Sequence, residues 1–234
     1  MTKESFIHRL FDTITPGYDA FNRIASLGMD HGWRRRTIES LNLQPGMRVL
    51  DLASGTGDLA VESVLKMLPL GMVTACDLSH PMLLSASEKL RRHPVAGWHM
   101  RYIQARAEQL PFPPQSFNAA TIGFALRNVS DLAGVFRELH RVVRPGGRIA
   151  LLEFGRPRNP LLRIGHWLWL TLVLPPLGLL TTGKLWPFLY LRRSILGFMD
   201  PEKVLSLLKE AGFSDVRAEP FTGRVVLLYQ GVRL

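Results

Sequence analysis

At 234 residues, with 47% hydrophobic and 21% charged side chains, the chain carries enough apolar material for one generous domain and is not a disordered polymer. Its 29 Lys and Arg against 19 Asp and Glu leave a formal charge of +10, which invites an anionic membrane surface or nucleic acid, or reads as a solvated basic face. The single cysteine, Cys76, excludes an intramolecular disulfide framework, and the scattered histidines form no cluster at metal-ligand spacing, which predicts no metal.

The N-terminal stretch MTKESFIHRLFDTITPGYD lacks the long apolar core of a secretory signal, so a cytoplasmic protein is expected. From Thr2 to Leu41 the pattern is helical, with Phe6, Leu10, Phe11 and Ile14 at helical spacing and an interruption at Pro16-Gly17. Residues 1–45 are accordingly expected to form a helical cap on a cofactor-binding domain of residues 46–234. From Arg48 the chain alternates strand and helix. MRVLDLA, MVTACDL, HMRYIQARA, FNAATIGFAL and RIALLEFG read as strands. Helices fall at LAVESVLKML, at Pro81 to Leu90 behind a Ser79 cap, and from Asp131 to Val143, closed by Pro145-Gly146-Gly147. That rhythm predicts an α/β doubly wound, mostly parallel sheet. A last helix from Pro201 to Ala211 precedes two strands, near Asp215 to Glu219 and Val225 to Gln230, expected to pair as an antiparallel hairpin. Five parallel strands and a hairpin, seven strands in all, resemble the Rossmann-like ordering of class I methyltransferases, which is the fold expected.

An apolar insert near residues 157–197 interrupts this scheme. No Asp, Glu, Lys or Arg occurs from Ile164 to Gly183, close to the roughly 20 residues of a membrane span. Pro175-Pro176 is expected to break a helix there into two short pieces, which favours an interfacial segment or a lid over an apolar pocket.

The turn Gly55-Thr56-Gly57 after the first strand lets a ligand approach the backbone at a helix N-terminus. Gly55-x-Gly57-x-x-Ala60 with Asp77 at the next strand end also matches a dinucleotide fingerprint, so an NAD(P)-dependent oxidoreductase is an alternative. Asp51, just before the loop, would repel a pyrophosphate and suits the cationic end of S-adenosylmethionine.

DLASGTGDLA, LPFPPQSFNAATIGFALRNVSD, RVVRPGGRIALLEFGRP, YLRRSILGF, TGRVVLLYQG and the opening IHRLFDTITPGYDAFNRIASLGMDHGWRRR together resemble the ubiquinone/menaquinone biosynthesis C-methyltransferases almost end to end. The resemblance departs at Ser54, Gly123, Ala125, Arg106, Phe188 and Arg224, where that family usually carries Gly, Ser, Gly, Asn, Tyr and Gly. It implies an S-adenosylmethionine cofactor held by Asp51, Gly55, Thr56, Gly57, Asp77, Leu78, Arg106, Ala107 and Gly123. It also implies methylation of a ring carbon of a prenylated quinol, a precursor of either menaquinone or ubiquinone. Arg127, Asn128, Tyr18 and Asp19 are its catalytic candidates, with Arg127 orienting water or stabilising a phenolate. Trp167, Leu168, Leu172 and Leu177 are expected to line a tail channel or dip into a bilayer edge. Basic clusters at Arg34–Arg36 and Arg192-Arg193 would attract anionic lipid. Another apolar acceptor is the alternative substrate. A nucleic-acid partner is not expected, since the basic residues are spread and no such motif is present. The sequence is compatible with a homodimer and does not specify one.

Overall fold

A computed structural model describes residues 2–91 and 99–234. Strands β1 (Arg48–Leu52), β2 (Met72–Asp77), β3 (Met100–Gln104), β4 (Phe117–Gly123), β5 (Val143–Phe154), β6 (Phe213–Phe221) and β7 (Val226–Arg233) form one sheet. Their order is β3-β2-β1-β4-β5-β7-β6, with the first five parallel and β7 antiparallel between β5 and β6. The expected fold class is therefore the observed one. The order reverses between β1 and β4, and the carboxyl ends of these strands diverge into a crevice where ligands bind.

Strand alternation sorts the core into two layers. Leu50, Leu52, Leu227 and Tyr229 face α6 (Leu132–Val142) and α10 (Pro201–Glu210). Val49, Val226 and Leu228 face α3 (Met29–Ser40), α4 (Asp58–Met67) and α5 (His80–Arg91). Asp131 caps α6 by accepting from the Gly134 amide at 2.8 Å, and the Ser79 Oγ accepts from Met82 at the start of α5. The turn expected at Pro145–Gly147 proves to be part of β5. Phe117 pairs with Val143 and Ala119 with Arg148, so the intervening residues bulge out of the ladder.

Helices α1 (Lys3–Ile14) and α2 (Tyr18–Ala25) do not stand apart from the insert. Leu10, Ile14 and Phe21 share a third core with Leu170, Leu174, Phe188 and Ile195, so cap and insert pack as one helical layer above the crevice. Within the insert, α7 (Pro160–Leu168), a π turn (Trp169–Val173) and α8 (Leu174–Thr182) run on as one 23-residue helix, which α9 (Trp186–Leu196) follows. The expectation that Pro175-Pro176 would break it is thus corrected. The wide turn lets the Leu174 amide reach back to the Trp169 carbonyl, and the prolines enter the first turn after it, where amide donors are dispensable. By length and composition this helix could cross a membrane; Leu170, Leu174 and Pro175 on one face are buried instead against the protein.

Gly178 sets the approach of α8 to α9. A Cβ there would stand 2.0 Å from the Phe188 ring. Gly178→Val is expected to overpack this contact and lower stability by about 1–3 kcal/mol in denaturant unfolding, which an unchanged midpoint would refute.

Candidate active site

Two cavities meet beneath the helical layer. The smaller, about 120 Å³, lies at the carboxyl ends of β1, β2 and β4, with α1 across it. The larger, about 490 Å³, is mainly apolar and runs outward between α2, the insert and the end of β5. Phe11, Tyr18, Phe124 and Asn128 line both and form the passage between them. Phe124 holds that place with a φ of +57°, a strained conformation for a bulky residue, anchored by its amide on the Leu152 carbonyl at 2.6 Å.

The smaller cavity is built by the loop after β1 and the end of β2. Gly55 has a φ of +54° and open space where a Cβ would stand, so a ligand can reach its backbone. Its amide donates to Asp77 Oδ2 at 2.8 Å, and the Ser79 amide donates to Oδ1 at 2.8 Å, which fixes the carboxylate at the cavity edge. Burial pushes the Asp77 carboxyl up despite these donors. Gly55, Asp77, Leu78, Arg106, Ala107 and Gly123 all line this cavity. Arg106 is also tied to Glu4 of α1 at 2.7 Å. A hydroxyl is missing at Gly123, where even a Cβ would meet Leu59 at 2.8 Å.

Three residues expected at the cofactor stand behind the lining instead. Asp51 is buried beneath the loop, with Oδ1 accepting from Thr121 Oγ1 at 2.7 Å and Oδ2 without a hydrogen-bond partner among the described residues. Thr56 turns away to donate to Asp19 at 2.6 Å, and Gly57 caps α4 and packs on Ala86. Asp19 belongs with them: it lines neither cavity and is held by Thr56 and, at 2.8 Å, by Lys89.

Of the other catalytic candidates, Arg127 lines the larger cavity but is already engaged. It pairs with the buried Glu153 at 2.7 Å, donates to the Phe124 carbonyl and to Ser194 Oγ, and lies 5.0 Å from the centre of the Phe154 ring. Asn128 accepts from the Tyr190 hydroxyl at 3.1 Å, while its Nδ2 is buried with no partner among the described residues. That unpaired donor stands at the passage between the cavities. Burial raises the Tyr18 and Tyr190 phenols and lowers His166, so all three favour their neutral forms in the cavity wall.

Tyr190, Phe188 and His166, and the α1 residues Ile7, His8 and Phe11, were not legible as site residues. Their helical periodicity signals only an apolar face, and which cavity that face meets depends on packing. The insert lines its cavity through Trp169, Leu170 and Leu174 rather than through Trp167, Leu168, Leu172 and Leu177. Trp167, Leu168 and Leu172 are exposed on the outer side, and Leu177 packs into the third core. The cluster Arg34–Arg36 also divides: Arg34 is buried between Asp30 and Asp58 and faces no surface.

The strand order, with its cleft at the switch point and an antiparallel strand closing the sheet, is that of the class I S-adenosylmethionine-dependent methyltransferases. Among solved structures, a SAM-dependent methyltransferase from Aquifex aeolicus aligns with a TM-score of 0.64 at 17% identity, covering 86% of this chain and 89% of that one. The profile of the ubiE/COQ5 methyltransferase family matches residues 1–233, and the chain belongs to that family. It is 39% identical over 215 residues to a demethylmenaquinone methyltransferase of Roseiflexus castenholzii, covering 92% of this chain and 87% of that one. It is 37% identical over 231 residues to the ubiquinone/menaquinone biosynthesis C-methyltransferase UbiE of Shewanella woodyi, covering 99% and 92%. S-Adenosylmethionine is the cofactor, which sets aside the nicotinamide reading of the glycine turn.

Burial raises the Asp51 carboxyl to about 7; its hydrogen bond from Thr121 and the nearby Ala60 amide only partly offset this. The native state therefore holds the Asp51 proton more tightly than the unfolded chain. Its cost to stability grows as pH rises from about 4 to about 7 and stands in full above that window. In cofactor-free protein, Asp51→Asn is expected to flatten the stability loss between pH 5 and pH 8 by on the order of 2 kcal/mol. Denaturant unfolding at both pH values checks this, and a parallel pH profile in the variant would overturn it.

Proposed function

We propose that this enzyme methylates a ring carbon of a prenylated demethylquinol, of the menaquinone or ubiquinone series, as the names of its relatives suggest for them. The observation that carries the reading is the junction: a large apolar cavity meets the smaller cleft at a passage holding a buried donor, Asn128 Nδ2, that is unpaired among the described residues. An aromatic ring with an oxygen substituent suits such a passage, because the apolar walls accept the ring and the amide binds the oxygen.

In this reading Asp77 accepts from the ribose hydroxyls, and Leu78 and the Arg106-Ala107 segment bracket the adenine. Gly55 and Gly123 let the backbone approach, and Asp51 acts from beneath the loop on the cationic end. Thr56, Gly57 and Asp19 hold the loop rather than the ligand. Bound S-adenosylmethionine supplies an electrophilic methyl group on a sulfonium. The chain's task is to align the ring carbon with that methyl group, exclude water and let the phenolic proton leave. Arg127 is a permanent cation whose guanidinium serves Glu153, so it holds the passage and favours negative charge on the acceptor oxygen; a solvent molecule takes the proton. Tyr18 and Tyr190, neutral in the wall, orient Asn128 and the ring.

The domain reading follows the same logic. Residues 1–45 and the insert near 157–197 act together as a roof, and residues 46–234 otherwise form the cofactor-binding body. The mouth of the larger cavity carries Leu27, Met29, Leu161 and Leu162, which are also exposed to solvent. The insert also exposes Trp167, Leu168, Leu172 and Leu180, the Arg192 guanidinium lies 6.0 Å from the centre of the Trp167 ring, and Arg163, Lys184 and Arg193 of the same segment are exposed. This apolar surface with a basic rim suits peripheral docking at the inner face of an anionic bilayer, with the prenyl tail passing from membrane to cavity.

Incubation with labelled S-adenosylmethionine and chemically reduced demethylmenaquinone is expected to yield a ring-methylated product. Cofactor binding without product from either quinol series would overturn the acceptor. Asp77→Ala is expected to weaken cofactor binding at least tenfold by calorimetry, from loss of a charge-assisted hydrogen bond worth about 1.5–3 kcal/mol. Arg127→Ala strands the buried Glu153 and should cost about 3–5 kcal/mol of stability as well as turnover. The pair Arg127→Met with Glu153→Gln separates the two effects: stability returns, cofactor affinity holds and turnover stays low. Recovery of turnover in that pair would remove Arg127 from the chemistry. On the membrane side, Leu168→Glu with Leu172→Glu should abolish co-sedimentation with vesicles containing phosphatidylserine, and undiminished binding would locate the docking face elsewhere.

A further inference from the structure

A chain of ion pairs runs behind the glycine loop. Thr56, next to Gly55, donates from Oγ1 to Asp19 Oδ1 of α2 at 2.6 Å. Lys89 of α5 reaches Asp19 Oδ2 at 2.8 Å and Thr56 Oγ1 at 3.2 Å, and pairs with Asp58 in the first turn of α4. Asp58 turns its other oxygen to Arg34 of α3 at 3.0 Å, and Arg34 pairs with Asp30. Asp30 and Arg34 line the acceptor cavity, and Tyr18, adjacent to Asp19, stands in the passage. One continuous chain of charges thus runs from the loop under the cofactor to the acceptor wall.

The charges in this chain fit a positioning role better than a stabilising one. Lys89, Asp58 and Asp19 keep roughly a quarter to a half of their side-chain surface in solvent, where ion pairs contribute little to stability. Three carboxylates, Asp19, Asp30 and Asp58, meet the cations Lys89 and Arg34, with the exposed Arg23 at 4.0 Å from Asp30. Burial favours a neutral Asp58, yet Arg34 and Lys89 outweigh it and hold the carboxyl below its ordinary range. Without the Lys89 ammonium, Asp19 and Asp58 would face each other across Thr56 with like charge, and α2 would part from the loop.

We propose that Lys89 is a positioning residue that couples the cofactor loop to α2, so that an ordered loop fixes Tyr18 and the passage for the acceptor. The coupling depends on methyl transfer by this enzyme and not on which acceptor it takes.

The test uses the full chain with S-adenosylhomocysteine as probe, read by amide hydrogen exchange. In the wild type the probe should slow exchange across residues 19–25, which do not line its own cleft, by tenfold or more. Lys89→Met should lose that protection while binding the probe within about threefold of wild type, and Lys89→Arg should retain it. With an active acceptor, Lys89→Met should lower kcat about tenfold and raise the acceptor KM, leaving the cofactor KM nearly unchanged. If Lys89→Met folds poorly, Asp19→Ala removes the acceptor of Thr56 and Lys89, severs the α2 end alone and should give the same exchange and kinetic pattern. Equal protection of α2 in wild type and variants, or a lower melting point with unchanged kinetics, would overturn the coupling. Failure to methylate a demethylquinol would not, since the exchange measurement needs no acceptor.

Discussion

The passage between the two cavities depends on one buried ion pair. Glu153, at the end of β5, is fully enclosed and binds Arg127 twice, through the guanidinium at 2.7 Å and the backbone amide at 3.1 Å. Its Oε1 also accepts from the Phe154 amide. A buried carboxylate is tolerable only when so many donors converge on it, and Arg127 in turn carries the contact outward to Phe124 and to Ser194 of the insert. Sheet, passage and roof are joined through this one guanidinium. The position of Asn128, and with it the unpaired donor at the junction, follows from where Arg127 is held.

Above that pair the helical layer solves a problem of apolar surface. The cap and the insert each carry an apolar face that neither could bury alone, and they bury those faces on each other around Leu10, Phe21, Leu170 and Phe188. The cavity is the space this packing leaves open. The π turn matters here because it allows a helix with two prolines to stay continuous across the roof and shifts the side-chain register by one residue. That shift helps to explain why Trp169, Leu170 and Leu174 face inward, while Trp167, Leu168 and Leu172 remain outside.

The cofactor side is a different kind of site, made of backbone and buried carboxylates. Asp77 ties the glycine loop to the end of β2 by accepting from the Gly55 and Ser79 amides, and Asp51 lies below with one oxygen unpaired among the described residues. A cation bound above the loop would relieve the cost of that buried carboxylate, which gives the site an electrostatic preference without a direct contact. Behind the loop, Thr56 and Asp19 fasten it to α2, so Thr56 beside Gly55 serves architecture while Gly55 itself lines the smaller cavity.

The sequence by itself determined the sheet, the glycine turn and the family, because each is carried by local signals. Alternating apolar residues fix strands, Gly55 permits a backbone conformation that few other residues adopt, and Asp77 needs only to end its strand to reach the loop. Local signals also gave the N-terminal helices and the apolar character of the insert, though not the continuity of its helix, since a proline's effect depends on the hydrogen-bond register before it. Tertiary structure alone decided which face of each helix meets which cavity. It drew Arg127 to Glu153 and Asp19 to Lys89, pairs 26 and 70 residues apart that no spacing rule connects. Burial and charge pairing are properties of the packed molecule: the same side chain is a ligand group, a fastener or a buried counter-ion according to what the fold places beside it.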